Sequence, residues 1–308
     1  MPDTVEDALT VALWATNLAP PLGDLTDWVA GVDRAMAEAR AEGADILLLP
    51  EYAAAQWLAY APSDLPDDRE IAWMAEQAPA ALEALAPLPA RHGLALLAGS
   101  MPWPTESPRP GDPPAVNRAW LLLPDGRQIA QDKLCLTPGE RDPAAWSLDV
   151  GRTLTIVPWR GLRLVTLICL DVELPALAQA LAPWQPDLVL VPSMTEKLSG
   201  HHRVHACARA RAVELQTAVA VVGCIGDVAT GRLPDGNTGG AAVYLPCEPA
   251  LGHNGVLAEI PPAGEVDGSG PCLVSRIPLG TLRHLRTGAA EVWPGAWTAG
   301  DLRIVTAD

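Results

Sequence analysis

Apolar positions along the first hundred residues change period repeatedly. Residues 9–16 form a short, nearly continuous apolar run that predicts a strand. Residues 24–41 then place Leu25, Trp28, Val29, Val32, Ala35, Met36 and Ala39 at helical spacing, with Asp24 as N-cap and Gly43 as the stop. Residues 45–50 predict a fully buried strand, 68–91 a helix and 93–99 another strand, so this part of the chain reads as a βαβ-wound sheet. In the middle, residues 115–123, the turn Pro124-Asp125-Gly126 and residues 127–133 predict a hairpin, which inserts an antiparallel pair. The winding resumes with a strand over 162–168 and a helix over 173–182, with Pro175 in its first turn and Pro183 at its end. A strand over 187–191, a helix over 201–215 and a strand over 218–224 follow. Two such strand-and-helix halves suggest two sheets packed face to face with helices outside.

Three of these runs end in a reactive side chain: residues 45–50 in Glu51, the hairpin strand in Lys133, and residues 164–168 in Cys169. A residue just past the carboxyl end of a buried strand is held on a rigid base and points into the crevice where α/β folds bind ligands. A carboxylate, an ammonium and a thiol there make a covalent amide-cleaving site. A free thiol, with a pKa of about 8.5, is mostly protonated at neutral pH, so Cys169 needs a base. Glu51 suits that role, and can hand the proton to the departing amine and then activate water. Lys133 supplies positive charge for the oxygen of the tetrahedral intermediate, with the Leu170 N–H as second donor. The chain has 21 basic residues of which only Lys133 and Lys197 are lysine, so a compact ammonium stands out where arginine is usual. Taken singly, Cys169 reads as a buried structural thiol and Glu51 and Lys133 as surface charges; their coincidence at strand ends favours chemistry.

Leu49-Pro50-Glu51, Asp132-Lys133-Leu134 with Leu136-Thr137-Pro138 and Glu140, Ile168-Cys169-Leu170-Asp171 with Glu173-Leu174-Pro175, and the run Ala208-Arg209-Ala210-Arg211-Ala212-Val213-Glu214 fall in one order along the chain. In wording and spacing they resemble the motifs of the nitrilase superfamily of carbon–nitrogen hydrolases, from about Val11 to about Leu282. The resemblance implies an α/β fold, a four-layer αββα sandwich of two mixed β-sheets with helices on the outside. It implies Glu51, Lys133 and Cys169 as the catalytic set and Glu140 as a second glutamate that hydrogen-bonds the lysine and orients substrate. Ser193 and Thr195 fall where relatives line the pocket, although such hydroxyls often only close turns. Arg209, Arg211 and Glu214 read as an ion-pair set. A homodimer or higher homo-oligomer is implied too, with Leu177, Leu181, Val204 and Val213 as apolar surface on the helices over 173–182 and 201–215. Leu170 replaces the aromatic residue usual after the nucleophile, and Cys135 stands where relatives often have histidine; both bear on substrate more than on reaction type. The segment from Ser193 to Arg203 resembles amidohydrolases more than nitrilases, so a small-molecule amide is the expected substrate. Nitrile hydrolysis and acyl transfer come next, and a catalytically silent scaffold is the reading from another class.

Composition narrows the partners. The 308 residues, 49% of them apolar, read as one domain, with a core over about 8–285 and a tail over about 286–308. The proline-rich stretches 102–114 and 261–271 read as loops. A net charge of −16 argues against nucleic acid and against an anionic membrane surface. Six cysteines without a CxxC, an acidic N-terminus and no apolar run near the ~18 residues of a membrane span point to the cytoplasm. His201, His202 and His205 invite a metal reading, because positions i and i+4 share a helix face, but no convincing third ligand or HExxH pattern accompanies them. Neither a metal nor another cofactor is expected. Substrate identity rests on the loops 56–67, 102–114 and 226–240.

Overall fold

The computed structural model describes residues 7–105, 115–228, 236–295, 299–300 and 302–306. The chain begins with β1 (Leu9–Trp14), α1 (Leu25–Ala41) and β2 (Ile46–Leu48), followed by α2 (Glu70–Leu85), α3 (Leu88–His92) and β3 (Ala95–Pro104). The Asp24 carboxylate accepts from the Asp27 N–H at 2.9 Å, and Gly43 turns the chain at φ +81°. The single helix expected over 68–91 is two. Pro87 has no N–H for the carbonyl one turn back and its ring would clash there, so α2 stops at Leu85 and α3 starts afresh. Strands β1, β2 and β3 are parallel, with Val11 opposite Ile46 and Ile46 opposite Ala95.

β3 runs past residue 99 to pair antiparallel with β4 (Ala115–Leu122), and its register shifts between Leu97 and Ser100. Gly99 sits in that irregularity at φ +69°, where a Cβ would lie 2.0 Å from the Pro50 carbonyl oxygen. Only glycine permits this approach. Ser100 N–H donates to the Pro50 carbonyl at 3.3 Å and Ser100 Oγ accepts from Tyr52 N–H at 3.3 Å, so the irregularity carries the turn that holds Glu51. β5 (Gln128–Asp132) completes the expected hairpin; α4 (Pro138–Arg141) and β6 (Leu148–Asp149) follow. Most of the loop expected over 102–114 lies outside the described residues, and its first three residues belong to β3.

The second half contains β7 (Val157–Trp159), β8 (Leu162–Thr166), α5 (Pro175–Leu181), β9 (Leu188–Ser193), α6 (Leu198–Leu215), β10 (Ala218–Gly223), β11 (Gly239–Tyr244), β12 (Val256–Ala263), β13 (Cys272–Ile277) and α7 (Leu279–His284). β8, β9 and β10 are parallel, and β7, β11 and β12 flank them antiparallel. β13 crosses back to β1, giving one sheet ordered β13-β1-β2-β3-β4-β5 with β6 on β4, and another ordered β12-β11-β10-β9-β8-β7. Pro261 and Pro262, expected in a loop, lie in β12, where an edge strand tolerates prolines.

Strand alternation makes the layers. Leu9, Val11 and Leu13 of β1 face inward with Leu48 and Leu97 against Leu164, Leu190, Ala220 and Val243 of the second sheet. Ala12, Leu47 and Leu96 face the other way, onto Trp28 and Met36 of α1 and Met74 and Leu82 of α2. Val204, Ala208 and Ala212 of α6 pack over β10 and β11, completing an αββα sandwich. Leu181 and Val204, expected on an oligomer surface, are each 1% exposed, because their helices use that stripe on their own sheet. Val213 is exposed and Leu177 half-buried. No helix among the described residues is long and apolar enough to cross a membrane.

Candidate active site

Glu51 lies beyond the end of β2, Lys133 directly after β5 and Cys169 beyond the end of β8, and all three line one cavity of about 590 Å³ between the two sheets' strand ends. Glu51 and Lys133 are each 2% exposed, which excludes the surface-charge readings. Lys133 Nζ donates to Glu51 Oε1 at 2.8 Å and to both oxygens of Glu140, at 2.9 and 2.7 Å. Glu140 reaches this place because Thr137 opens α4 with a capping box: Glu140 Oε2 accepts from Thr137 N–H at 2.8 Å and Thr137 Oγ1 from Glu140 N–H at 3.3 Å.

Further residues join this network. Asn117, buried on β4, donates from one Nδ2 to Glu51 Oε1 at 2.9 Å and to Glu140 Oε1 at 3.0 Å, while its carbonyl accepts from Lys133 N–H at 2.8 Å. Tyr52, at φ +51°, donates to Glu140 Oε1 at 3.4 Å and meets Trp146 edge-on at 4.9 Å. The Met194 N–H donates to Glu51 Oε2 at 2.9 Å, and the Cys169 thiol donates to the Met194 carbonyl at 3.7 Å, so the backbone of one residue spans base and thiol. The sequence had pointed to the side chains on either side of that residue. Ser193 lies outside the cavity lining with its hydroxyl given to the Val222 carbonyl at 3.1 Å; Thr195 lines the cavity but donates to the Thr238 carbonyl at 2.7 Å. Both hydroxyls serve the backbone, and Met194 presents its peptide to the cavity.

Cys169 stands at φ +48°, the left-handed region, at the head of a 3-10 turn that runs to Glu173 and has Leu170 on the cavity wall. Strain of this kind collects at functional elbows. At the mouth, Arg203 pairs with Glu173 at 2.6 Å, near Lys197 and Glu196. On α6, Arg211 pairs with Glu214 at 2.6 Å and donates to the Val172 and Glu173 carbonyls at 2.9 and 3.2 Å. Arg209, expected in the same ion-pair set, donates instead to the Asn254 carbonyl. His201 and His205 stack at 3.9 Å, and His205 Nδ1 meets the Tyr244 hydroxyl at 2.9 Å. Burial lowers them to about 4 and about 3, so both are neutral packing residues.

Burial raises the Glu51 carboxyl above its ordinary range, against the pull of Lys133. It raises the Cys169 thiol as well, and the Glu51 charge pushes the same way. For Lys133 burial acts to lower the ammonium, but Glu51 and Glu140 outweigh it and keep it protonated. At rest the thiol is neutral, beside a buried carboxyl that is raised and an ammonium that stays protonated. Thiol attack from this state must be coupled to proton transfer.

The layered α/β sandwich is a fold shared with an amidase of the nitrilase superfamily. Residues 10–247 match the model of the carbon-nitrogen hydrolase family, and the chain belongs to that family. Among solved structures, an amidase from Nesterenkonia sp. superposes with a TM-score of 0.66 at 26% identity, over 91% of this chain and 94% of that one. A glutamate-to-glutamine mutant of the Nesterenkonia enzyme, described as showing Michael addition of acrylamide at the active site cysteine, superposes with a TM-score of 0.65 at 26% identity, covering 91% and 98%. Among curated relatives, the probable hydrolase YhcX of Bacillus subtilis is 27% identical over 183 residues, 58% of this chain and 35% of that protein. The omega-amidase YafV of Escherichia coli is 31% identical over 184 residues, 59% of this chain and 62% of that protein. The chain thus spans between about a third and under two thirds of the length of these relatives.

Proposed function

We propose that the protein hydrolyses a small-molecule amide through a thioester on Cys169. The observation that carries this reading is the position of Glu51, bonded on one side to Lys133 Nζ and Asn117 and on the other to the Met194 peptide, against which the Cys169 thiol rests. As sulfur attacks the carbonyl carbon, Glu51 takes the thiol proton. Lys133 and the Leu170 N–H receive the developing oxyanion. Glu51 returns the proton to nitrogen as the carbon–nitrogen bond breaks and ammonia or an amine leaves. The same carboxylate then deprotonates a water that attacks the thioester, and the thiolate leaves and is reprotonated. Glu140, Asn117 and Tyr52 hold Lys133 and Glu51 in place. Met194, Leu170 and Trp146 offer an apolar wall for the acyl group, and the charges of Lys197, Glu196 and the Arg203–Glu173 pair give the mouth a polar rim.

Nitrile hydrolysis and acyl transfer use the same thioester and differ in what enters and what attacks next. The test is ammonia release from a panel of amides, carbamoyl compounds and nitriles, with Cys169→Ser as control. Release from amides by the wild type alone supports the proposal; release from nitriles alone turns it to the nitrilase reading; none, with Cys169 inert to electrophilic amide analogues, leaves the silent scaffold. In the same reading the protein is a homodimer or higher oligomer, with Trp184, Leu198 and Val213 as exposed apolar residues. Its six free thiols suit a reducing compartment such as the cytoplasm.

A further inference from the structure

Asp171 has no place in the steps above and its side chain does not line the cavity, yet it is the most deeply buried carboxylate among the described residues, at 0% exposure. Its oxygens are fully committed to main-chain donors. Oδ1 accepts from Cys135 N–H at 2.8 Å and from Leu134 N–H at 3.1 Å; Oδ2 accepts from Leu134 N–H at 3.2 Å and from Ile168 N–H at 3.2 Å. Leu134 and Cys135 are the two residues after Lys133, and Ile168 is the residue before Cys169. The first pair follows β5 of one sheet and the second follows β8 of the other. The inner faces of the two sheets meet through apolar side chains, whose packing is not directional. Hydrogen bonds to an ionised carboxylate are directional and among the stronger ones in proteins.

We infer that Asp171 is a positioning residue that fixes the distance between the Lys133 ammonium and the Cys169 sulfur by tying the backbones that carry them across the two sheets. This rests on the proposed reaction. With the tie cut, both residues remain but their separation is free to drift, and misplacement by about 1 Å costs on the order of 10²-fold in rate.

The charge state of Asp171 gives the inference a distinguishing consequence. Burial pushes its carboxyl up to about 6, against the pull of the Leu134, Cys135 and Ile168 N–H groups and of Lys133. The groups facing it are the Lys133 ammonium, held protonated, and the Cys135 thiol, which burial and Asp171 itself raise. From α6, Arg211 binds the Val172 and Glu173 carbonyls of the same turn. Neither Lys133 nor Cys135 titrates between pH 5 and 7, and the carboxyls here that burial raises toward this range are Asp171 and Glu51. Because the folded carboxyl is raised above its ordinary value, protonation is favoured by folding. This group's contribution to stability therefore grows as pH falls from 7 toward 5, while the tie, which needs the carboxylate, weakens. A residue that served stability alone would not lower the rate where the fold is strengthened.

The experiment follows acrylamide addition to Cys169 by intact mass and peptide mapping from pH 5 to 8, with melting temperature at each pH. The thiol sulfur bonds to the terminal alkene carbon and the thiol proton ends on the carbon beside the carbonyl. For wild type, the expected rate falls below a break near pH 6. Asp171→Asn, which keeps shape but sets an NH2 against N–H donors, should lose about 10- to 100-fold at pH 7.5 and lose the break. A wild-type rate in Asp171→Asn overturns the inference. Glu51→Gln removes the other carboxyl that burial raises, and with it the route by which the Glu140 charge acts on the acid limb. A break near pH 6 that survives there supports Asp171, and its disappearance overturns it, whether or not Asp171→Asn folds. If wild-type Cys169 takes up no acrylamide while other thiols do, the assignment of Cys169 as nucleophile fails and the inference falls with it.

Discussion

Glutamine in place of Glu140 changes little in shape and much in charge, and its cost can be worked from the contacts. Oε1 receives Lys133 Nζ at 2.9 Å, Asn117 Nδ2 at 3.0 Å and the Tyr52 hydroxyl at 3.4 Å; Oε2 receives Lys133 Nζ at 2.7 Å and Thr137 N–H at 2.8 Å. Whichever position the amide NH2 takes, it faces the ammonium and at least one fixed N–H donor. One charge-assisted hydrogen bond lost is about 1.5–3 kcal/mol. Breaking a buried ion pair from one side costs about 3–5 kcal/mol. If that loss falls on the transition state, at about 1.4 kcal/mol per factor of ten, kcat should drop between about 10-fold and about 4 × 10³-fold with KM little changed. The pH profile carries a signed outcome. The Glu140 charge helps raise the Glu51 carboxyl, so removing it lowers Glu51 and moves the part of the acid limb of kcat that Glu51 sets to lower pH, leaving the Asp171 break in place. The assay is ammonia release against pH on an amide the screen identifies, with circular dichroism to establish folding. A folded Glu140→Gln enzyme with kcat within twofold of wild type, or an acid limb moved upward, refutes the reasoning.

Lys133→Arg keeps the charge but puts a planar guanidinium into a site 2% exposed and shaped around one nitrogen, so turnover should fall by about 10²–10³, and near wild-type turnover would remove Lys133 from the oxyanion role. Gly99→Ala places a Cβ 2.0 Å from the Pro50 oxygen at positive φ; beyond a strain of about 1–2 kcal/mol it should displace the Glu51 turn, lowering both melting temperature and kcat, and an unchanged kcat would contradict that link. Light scattering at micromolar concentration should give at least a dimer mass; a monomer would end the oligomer proposal.

The strand ends were legible because each of Glu51, Lys133 and Cys169 closes an apolar run whose period is visible without the fold. Glu140 was legible only through the family resemblance, which places a second glutamate at that position. What the sequence hid depends on pairing between distant segments. Asn117 matters because strand register sets its carbonyl opposite the Lys133 N–H, and no local pattern carries that information. Met194 acts through its peptide, which its side chain does not announce, so the hydroxyls of Ser193 and Thr195 drew attention instead. Asp171 looked like one more charge in a turn, and only its three N–H partners from two sheets set it apart. β12 and β13 escaped notice because both are half-exposed edge strands, so no continuous apolar run marks them.

The central claim is a covalent acyl group on Cys169, and rapid-quench mass spectrometry of the enzyme mixed with a turned-over amide measures it directly. The account predicts a transient mass increase equal to the amide minus ammonia, mapped to the peptide bearing Cys169 and absent from Cys169→Ala. Ammonia released with no such adduct, or an adduct mapped to another residue, would contradict it.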